Sequence, residues 1–194
     1  RDADLPDYLT LCSRDELLPP VVAVKDAKLI TAMYMSFFTR ALPEDDMVFI
    51  PGGNPFRAWD AADEIPVLNK LIRKTHFKLL LINTGSFFQT SCSCREIPPL
   101  ILNAIYPKIL RQDIKWKEWS ECPGMLLPQK GVFKRIFKDY DNHFNPSSIS
   151  DKNDYYSLML DRMCKRLEAL ETLNVPVEYR TSIHKITMHL SKII

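Results

Sequence analysis

The stretch at residues 46–88 constrains the fold most, because it holds two short apolar runs that each end in a glycine-bearing loop. The first run is MVFI at 47–50, and the second is FKLLLIN at 77–83. Short continuous apolar runs bounded by turn residues are typical of strands that are covered on both faces. A helical connection of about 25 residues separates the two runs, so a parallel βαβ unit with a right-handed crossover is the leading interpretation.

The connection between the two runs has the pattern of a helix. Asn54 can cap its start, and Pro55 follows at the first turn, where a missing N–H costs little. Pro66 lies in the middle and predicts a kink or two consecutive helices. The charges follow the order that the helix dipole favours, acidic early and basic late, at Asp60, Asp63, Glu64, Lys70, Arg73 and Lys74.

The rest of the chain is also helix-rich. VVAV at 21–24 predicts a short buried strand, and a helix begins at Asp26 and stops at Pro43. Further helices are predicted from Pro98 and Pro99 onward and at 131–140, 152–173 and 181–194. The run at 116–128 is consistent with either an edge strand or a structured loop. Residues 142–154 are the most linker-like stretch.

These elements predict an α/β fold, a helix-rich single domain over residues 1–194 around a small, mostly parallel sheet of the three-layer, Rossmann-like type. At 194 residues the chain can bury roughly 70% of its unfolded surface. An alternative within this prediction is that residues 150–194 form a helical C-terminal subdomain.

Charge and cysteine content narrow the classes of partner and compartment. The chain has 26 basic and 24 acidic residues, for a net charge of +2, which argues against a dedicated nucleic-acid binder. No run approaches the roughly 20 apolar residues of a transmembrane helix. The odd count of 5 cysteines favours reduced thiols, and we therefore expect an intracellular, cytoplasmic protein.

The segment LPDYLTLCSRDE at 5–16 resembles the mature start of insect takeout and juvenile-hormone-binding proteins. That family has a second cysteine a few positions after the one that matches Cys12. The next cysteine in this chain is Cys92. We therefore carry no fold, ligand or site residue over from this resemblance.

The two glycine loops are the candidate ligand site. In a parallel sheet they would lie side by side at the carboxyl ends of the strands, where backbone N–H groups can approach a phosphate or carboxylate. Neither G-x-G-x-x-G nor a P-loop is present, so no cofactor is identified, and glycines that only serve tight turns are the alternative. The predicted function is binding of a nucleotide or other anionic small molecule, with transferase or hydrolase chemistry left open. The predicted ligand-binding residues are Gly52, Gly53, Asn54, Asn83, Thr84, Gly85 and Ser86.

Two other groups of residues suggest different chemistry. Cys92, Cys94, Cys122 and His143 match the spacing of a zinc site poorly, so we expect no metal. Trp116 and Trp119 are candidate anchors for a protein partner, as aromatic residues are at many interfaces. The rival function is therefore a non-catalytic interaction protein or structural subunit, which the low count of 5 glycines favours slightly.

Overall fold

The computed structural model describes residues 6–41, 45–56 and 60–194. Within these ranges the strands are β1 (Tyr8–Ser13), β2 (Val21–Val24), β3 (Phe38–Thr39), β4 (Val48–Phe49), β5 (Lys78–Asn83), β6 (Ser86–Thr90), β7 (Ser93–Glu96), β8 (Trp116–Glu118) and β9 (Met125–Pro128). The helices are α1 (Ala27–Met35), α2 (Ala61–Thr75), α3 (Pro99–Leu110), α4 (Tyr140–Phe144), α5 (Lys152–Thr172) and α6 (Val177–Leu190). Two short 3₁₀ helices lie at Pro51–Gly53 and Pro146–Ser148.

The main sheet has five strands in the order β1-β5-β2-β9-β8, and only its β1–β5 pair is parallel. The pairs β3–β4 and β6–β7 form two separate antiparallel sheets. The predicted mostly parallel, three-layer, Rossmann-like sheet is therefore wrong. A continuous apolar run shows that a strand is covered on both faces, but it does not show the direction in which the neighbouring strand runs.

The prediction that residues 47–50 and 77–82 form adjacent parallel strands is also wrong. Only Val48 and Phe49 of the first run form a strand, and they pair with β3 outside the main sheet. Val48 is 49% exposed, whereas all four residues of β2 are fully buried and pair directly with β5. A central strand needs apolar cover on both faces, and β2 satisfies that requirement better than β4 does.

β1 lies within residues 1–20, which end in Pro19 and Pro20 and whose sequence predicts an irregular lead-in. Its residues alternate between the apolar Leu9 and Leu11 and the more polar Thr10 and Cys12. Such alternation is typical of a strand with one face toward the core. β1 forms one edge of the main sheet, and β8 forms the other, so the edge-strand interpretation of Trp116–Glu118 is confirmed.

The helix predictions fared better than the strand pairing. α3 begins at Pro99 and α5 spans Lys152–Thr172, both close to the predicted bounds. α2 is one continuous helix with Pro66 inside it. The prediction of a helix at 131–140 is wrong, because these residues form turns that lead into α4.

α1 begins where the sequence predicts but ends earlier. The Asp26 side chain accepts a hydrogen bond from the N–H of Leu29 at 2.8 Å, which is an N-cap. The helix ends at Met35, and β3 follows almost at once. Pro43, the predicted stop, lies outside the described residues. α1 is almost wholly buried and packs against α2, α5 and α6.

A buried ionic cluster joins the end of β1 to α5. Asp15 is 1% exposed, and its Oδ2 lies 2.9 Å from Arg162 Nη1 and 3.8 Å from Arg166 Nη2. Arg166 also donates a hydrogen bond to the backbone oxygen of Ser36. Burial lowers the pKa of Arg166 to about 10, against the attraction of Asp15, so the guanidinium stays charged at neutral pH.

We expect Asp15→Asn to lower the free energy of unfolding by about 3–5 kcal/mol, because it removes the buried counter-ion of Arg166 and leaves Arg162 only Glu16, whose Oε1 lies 3.6 Å from Arg162 Nη2. Urea unfolding followed by circular dichroism measures this change. Asp161→Asn is the matched control, since Asp161 pairs with Lys165 at 2.8 Å on the exposed face of the same helix. The control should cost less than about 1 kcal/mol. Equal losses in the two variants would contradict the role given to Asp15.

Candidate functional site

The loop after β5 is held in place by the side chain of Asn83. Its Nδ2 lies 2.8, 2.6 and 2.7 Å from the backbone oxygens of Asp15, Leu18 and Ser86. Its Oδ1 accepts a hydrogen bond from the N–H of Gly85 at 3.0 Å. Asn83 is fully buried, so this amide ties the loop to the segment between β1 and β2 and has no surface to offer a ligand.

The loop after β4 is a tight turn. Gly52 and Gly53 have φ values of 62° and 65°, which L side chains rarely adopt. The N–H of Gly53 donates to the oxygen of Ile50 at 2.9 Å, and the N–H of Asn54 lies 3.3 Å from the oxygen of Pro51. The Asn54 side chain accepts from the N–H of Phe56 at 2.9 Å. These glycines therefore serve the turn itself.

Both loops lie beside β1 or the residue that follows it. A Cβ built on Gly53 would lie 3.0 Å from the Leu11 side chain, and one built on Gly85 would lie 3.3 Å from Arg14. The N–H of Thr84 donates to the oxygen of Ser13 at 2.8 Å. The backbone N–H groups of positions 53, 54, 84 and 85 are thus engaged within the chain, and ligand binding by these loops stays a prediction.

Thr84, Gly85 and Ser86 do line a pocket of about 380 Å³. Among the described residues, its charged lining side chains are Arg14, Glu16, Arg40 and Glu96, two of each sign, and Cys94 completes the wall. Arg40 Nη2 lies 3.0 Å from Glu16 Oε1. Because the charges balance and this central pair is internal, the pocket has little attraction for an anion.

Cys94 is the thiol in this pocket, and its environment keeps it protonated. Partial burial raises its pKa and the Glu16 carboxylate raises it further, while Ser86 and Arg40 oppose them less strongly. The nucleophilic form of cysteine is the thiolate. The geometry therefore gives Cys94 no activation for covalent catalysis.

The cleft between α2 and α6 is larger, at about 730 Å³. α2 contributes one wall, and the first turn of α6 contributes the other. Asn69 Nδ2 donates to the hydroxyl of Tyr179 at 2.6 Å and so braces the two helices. The lining residues are Ile65, Pro66, Asn69, Lys70, Arg73, Lys74, Pro176, Glu178 and Tyr179.

The sequence points to part of this cleft without revealing the site. Lys70, Arg73 and Lys74 have a sufficient explanation as cations near the end of a helix. The opposite wall comes from a helix more than a hundred residues later, and no local pattern indicates that α6 would pack beside α2. The late basic residues of α2 are therefore the only sequence signal for the cleft.

The tryptophans and cysteines that the structure describes do not lie together in one functional cluster. Trp119 is 1% exposed and lies in the core, whereas Trp116 is partly exposed. Cys122 is buried, while Cys92 and Cys94 are exposed on the β6–β7 hairpin. Within residues 6–41, 45–56 and 60–194, no three histidine, cysteine, aspartate or glutamate side chains are grouped closely enough to hold a metal ion.

Comparison with known proteins found no family model and no curated protein that matches this sequence.

In the part of the chain that the structure describes, no helix has both the length and the apolar character needed to cross a membrane. All five cysteines are free thiols.

We expect the reaction of Cys94 with iodoacetamide to show a higher pH midpoint in the folded chain than in the chain unfolded in urea. The reason is that burial and the Glu16 carboxylate raise the thiol pKa only in the folded state. Mass spectrometry of the alkylated peptide measures the rate, and Cys92→Ser removes the neighbouring thiol. A folded-state midpoint at or below the unfolded one would contradict this environment.

Proposed function

We propose that this chain binds a phosphate-bearing small molecule of the nucleotide class in the cleft between α2 and α6. The observation that carries the proposal is the set of three exposed cations on one wall of the cleft, Lys70, Arg73 and Lys74. None of the three has an ion-pair partner among the described residues. Their charge is therefore available to a ligand.

The balance of charge in the cleft favours an anion. Among the described lining residues, Glu178 is the single carboxylate, against three cations. The cleft also receives the start of α6, whose first N–H groups and positive dipole end add to the attraction for a phosphate. The cations come from the last two turns of α2, whose own dipole end is negative, so on that wall the side-chain charges alone attract the anion.

The remaining lining suits the organic part of a nucleotide. Ile65, Pro66 and Pro176 provide apolar surface, and the partly exposed Tyr179 ring offers a face for a base to stack on. The hydrogen bond from Asn69 fixes the Tyr179 hydroxyl, which limits the motion of that ring. The volume of the cleft lies within the usual range for small-molecule sites, roughly 300–1,000 Å³.

The lining residues support binding more than catalysis. Among the residues that the structure describes, the cleft lining includes no histidine or cysteine, and its one carboxylate, Glu178, lies on an exposed first helical turn. Transferase or hydrolase chemistry would need a base or a nucleophile held against the ligand. We therefore propose a binding function without an assigned reaction. The five free thiols support the intracellular, cytoplasmic location that forms part of this proposal.

The proposal is tested by titrating the chain with ATP, inorganic phosphate and adenosine in a calorimeter. We expect ATP to bind most tightly, because it offers both a phosphate group and a base. The variant Lys70→Gln/Arg73→Gln/Lys74→Gln should weaken ATP binding by roughly tenfold or more, since each exposed charge contributes up to about 1 kcal/mol.

The matched control is Lys134→Gln/Arg135→Gln/Lys138→Gln. It also removes two lysines and one arginine, here from an exposed loop, and so changes the net charge by the same amount. It should leave the ATP affinity nearly unchanged. Equal weakening by the two triple variants, or no ATP binding by the wild-type chain, would contradict the proposed cleft.

Glu178→Gln provides a test in the opposite direction. Removal of this carboxylate, the only one in the described part of the lining, should strengthen ATP binding several-fold, because a like charge beside the phosphates is lost. The gain should shrink in high salt, as expected for an exposed charge. A weaker affinity in this variant would show that Glu178 itself contacts the ligand and that the assigned charge balance is wrong.

A further inference from the structure

β1 presents an open edge of the main sheet. Among the described residues it pairs only with β5. The backbone oxygens of Asp7 and Ser13 accept hydrogen bonds from Lys78 and Thr84, so the odd-numbered residues of β1 face β5. In a parallel ladder the alternate residues point the other way, which directs the N–H and C=O groups of Thr10 outward. Such an edge is a template for another strand.

Apolar surface flanks this edge on both faces. On one face a groove of about 440 Å³ lies between β1 and α2, and Val67 on its rim is 69% exposed. On the other face the hydroxyl of Tyr106 lies 3.6 Å from Cys12 Sγ, and Leu110 on the same helix is 85% exposed. The groove is lined by Leu9, Tyr34, Asp63, Glu64, Val67, Leu68 and Leu71.

We propose that the edge of β1 and the exposed side of α2 bind a second copy of this chain about a two-fold axis, with the two β1 strands antiparallel. An axis through Thr10 places Asp7 opposite Ser13 of the second copy, so β1 contributes backbone hydrogen bonds to the interface. The charge complementarity of the interface comes from α2.

The charges of α2 are complementary about the same axis. Asp63 and Lys70 lie on either side of the exposed Val67. In an isologous interface the two α2 helices are antiparallel, so Asp63 of each copy faces Lys70 of the other. The apolar Val67 side chains then meet at the centre.

The two elements share one axis because α2 runs antiparallel to β1. The first turns of α2 lie near the end of β1, since Glu64 approaches Gly52 and Gly53 packs beside Leu11. The last turn of α2 leads to Lys78, which pairs with Tyr8 at the start of β1. The middle of α2 therefore lies beside the middle of β1, and an axis through Thr10 passes close to Val67.

Sedimentation velocity of the full chain tests the proposal. We expect the wild-type chain to dimerise and Thr10→Pro to raise the dissociation constant by roughly tenfold or more, because each copy loses an outward N–H. An edge strand tolerates proline where the N–H faces solvent. Thr10→Val is the matched control, since it keeps the N–H and the shape of the side chain. Circular dichroism confirms that each variant is folded.

A charge exchange tests the antiparallel arrangement of α2. Asp63→Lys and Lys70→Asp should each weaken the dimer several-fold, and the double variant should recover most of the loss because it restores opposite charges across the axis. Lys70 also lines the α2–α6 cleft, but the measured quantity is association and not ligand binding. A wild-type chain that stays monomeric at about 100 µM would overturn the proposal. A double variant that dimerises no better than the single variants would also overturn the proposal, even if a different protein binds this edge.

Discussion

The buried contact between Asp15 and the two arginines of α5 fixes the segment on which most of the structure depends. Residues 13–18 join β1 to β2, and their polar groups bind three distant parts of the chain. Asn83 contacts the backbone oxygens of Asp15 and Leu18, Tyr155 donates to the oxygen of Leu17 at 2.7 Å, and Ser13 donates to Phe38. The main sheet, α5 and the β3–β4 pair therefore meet at one short turn. A buried charge is costly without a partner, so this turn has little freedom to move.

This turn also explains why the N–H groups of the loop after β5 are already engaged within the chain. The oxygen of Ser13 accepts the N–H of Thr84, and the amide of Asn83 holds the loop that follows β5. A loop that stabilises the fold through its own N–H groups cannot offer them to a phosphate at the same time. The cations of α2 make no ion pair among the described residues, and we place the proposed anion site on them for that reason.

The sequence allowed the helices to be predicted far better than the strand pairing. α5 and α3 are long segments with clear periodicity and proline or turn boundaries, and such signals are local. The pairing of β5 with β1 and β2 is a contact between segments about 60–70 residues apart, and the apolar patterns of those segments are compatible with either direction. β1 escaped detection because its alternation is short and because Pro6 and Pro19 suggest irregular structure around it.

The candidate site shows the same limit. The cations of α2 are visible in the sequence, but Glu178 and Tyr179 become their neighbours only through the packing of α6, which the bond from Asn69 to Tyr179 marks. α2 also carries Val67 and Asp63 on another side, where β1 leaves the sheet edge open. α2 thus contributes to two surfaces whose partners no local pattern reveals.

The most direct measurement of the central claim is an amide NMR titration of the isotope-labelled chain with ATP. If the ligand binds between α2 and α6, the largest shifts will belong to residues 69–74 and 177–180. Residues 52–54 and 84–86 should then stay nearly unchanged. Large shifts confined to the two glycine loops would contradict the assignment of the site to the α2–α6 cleft.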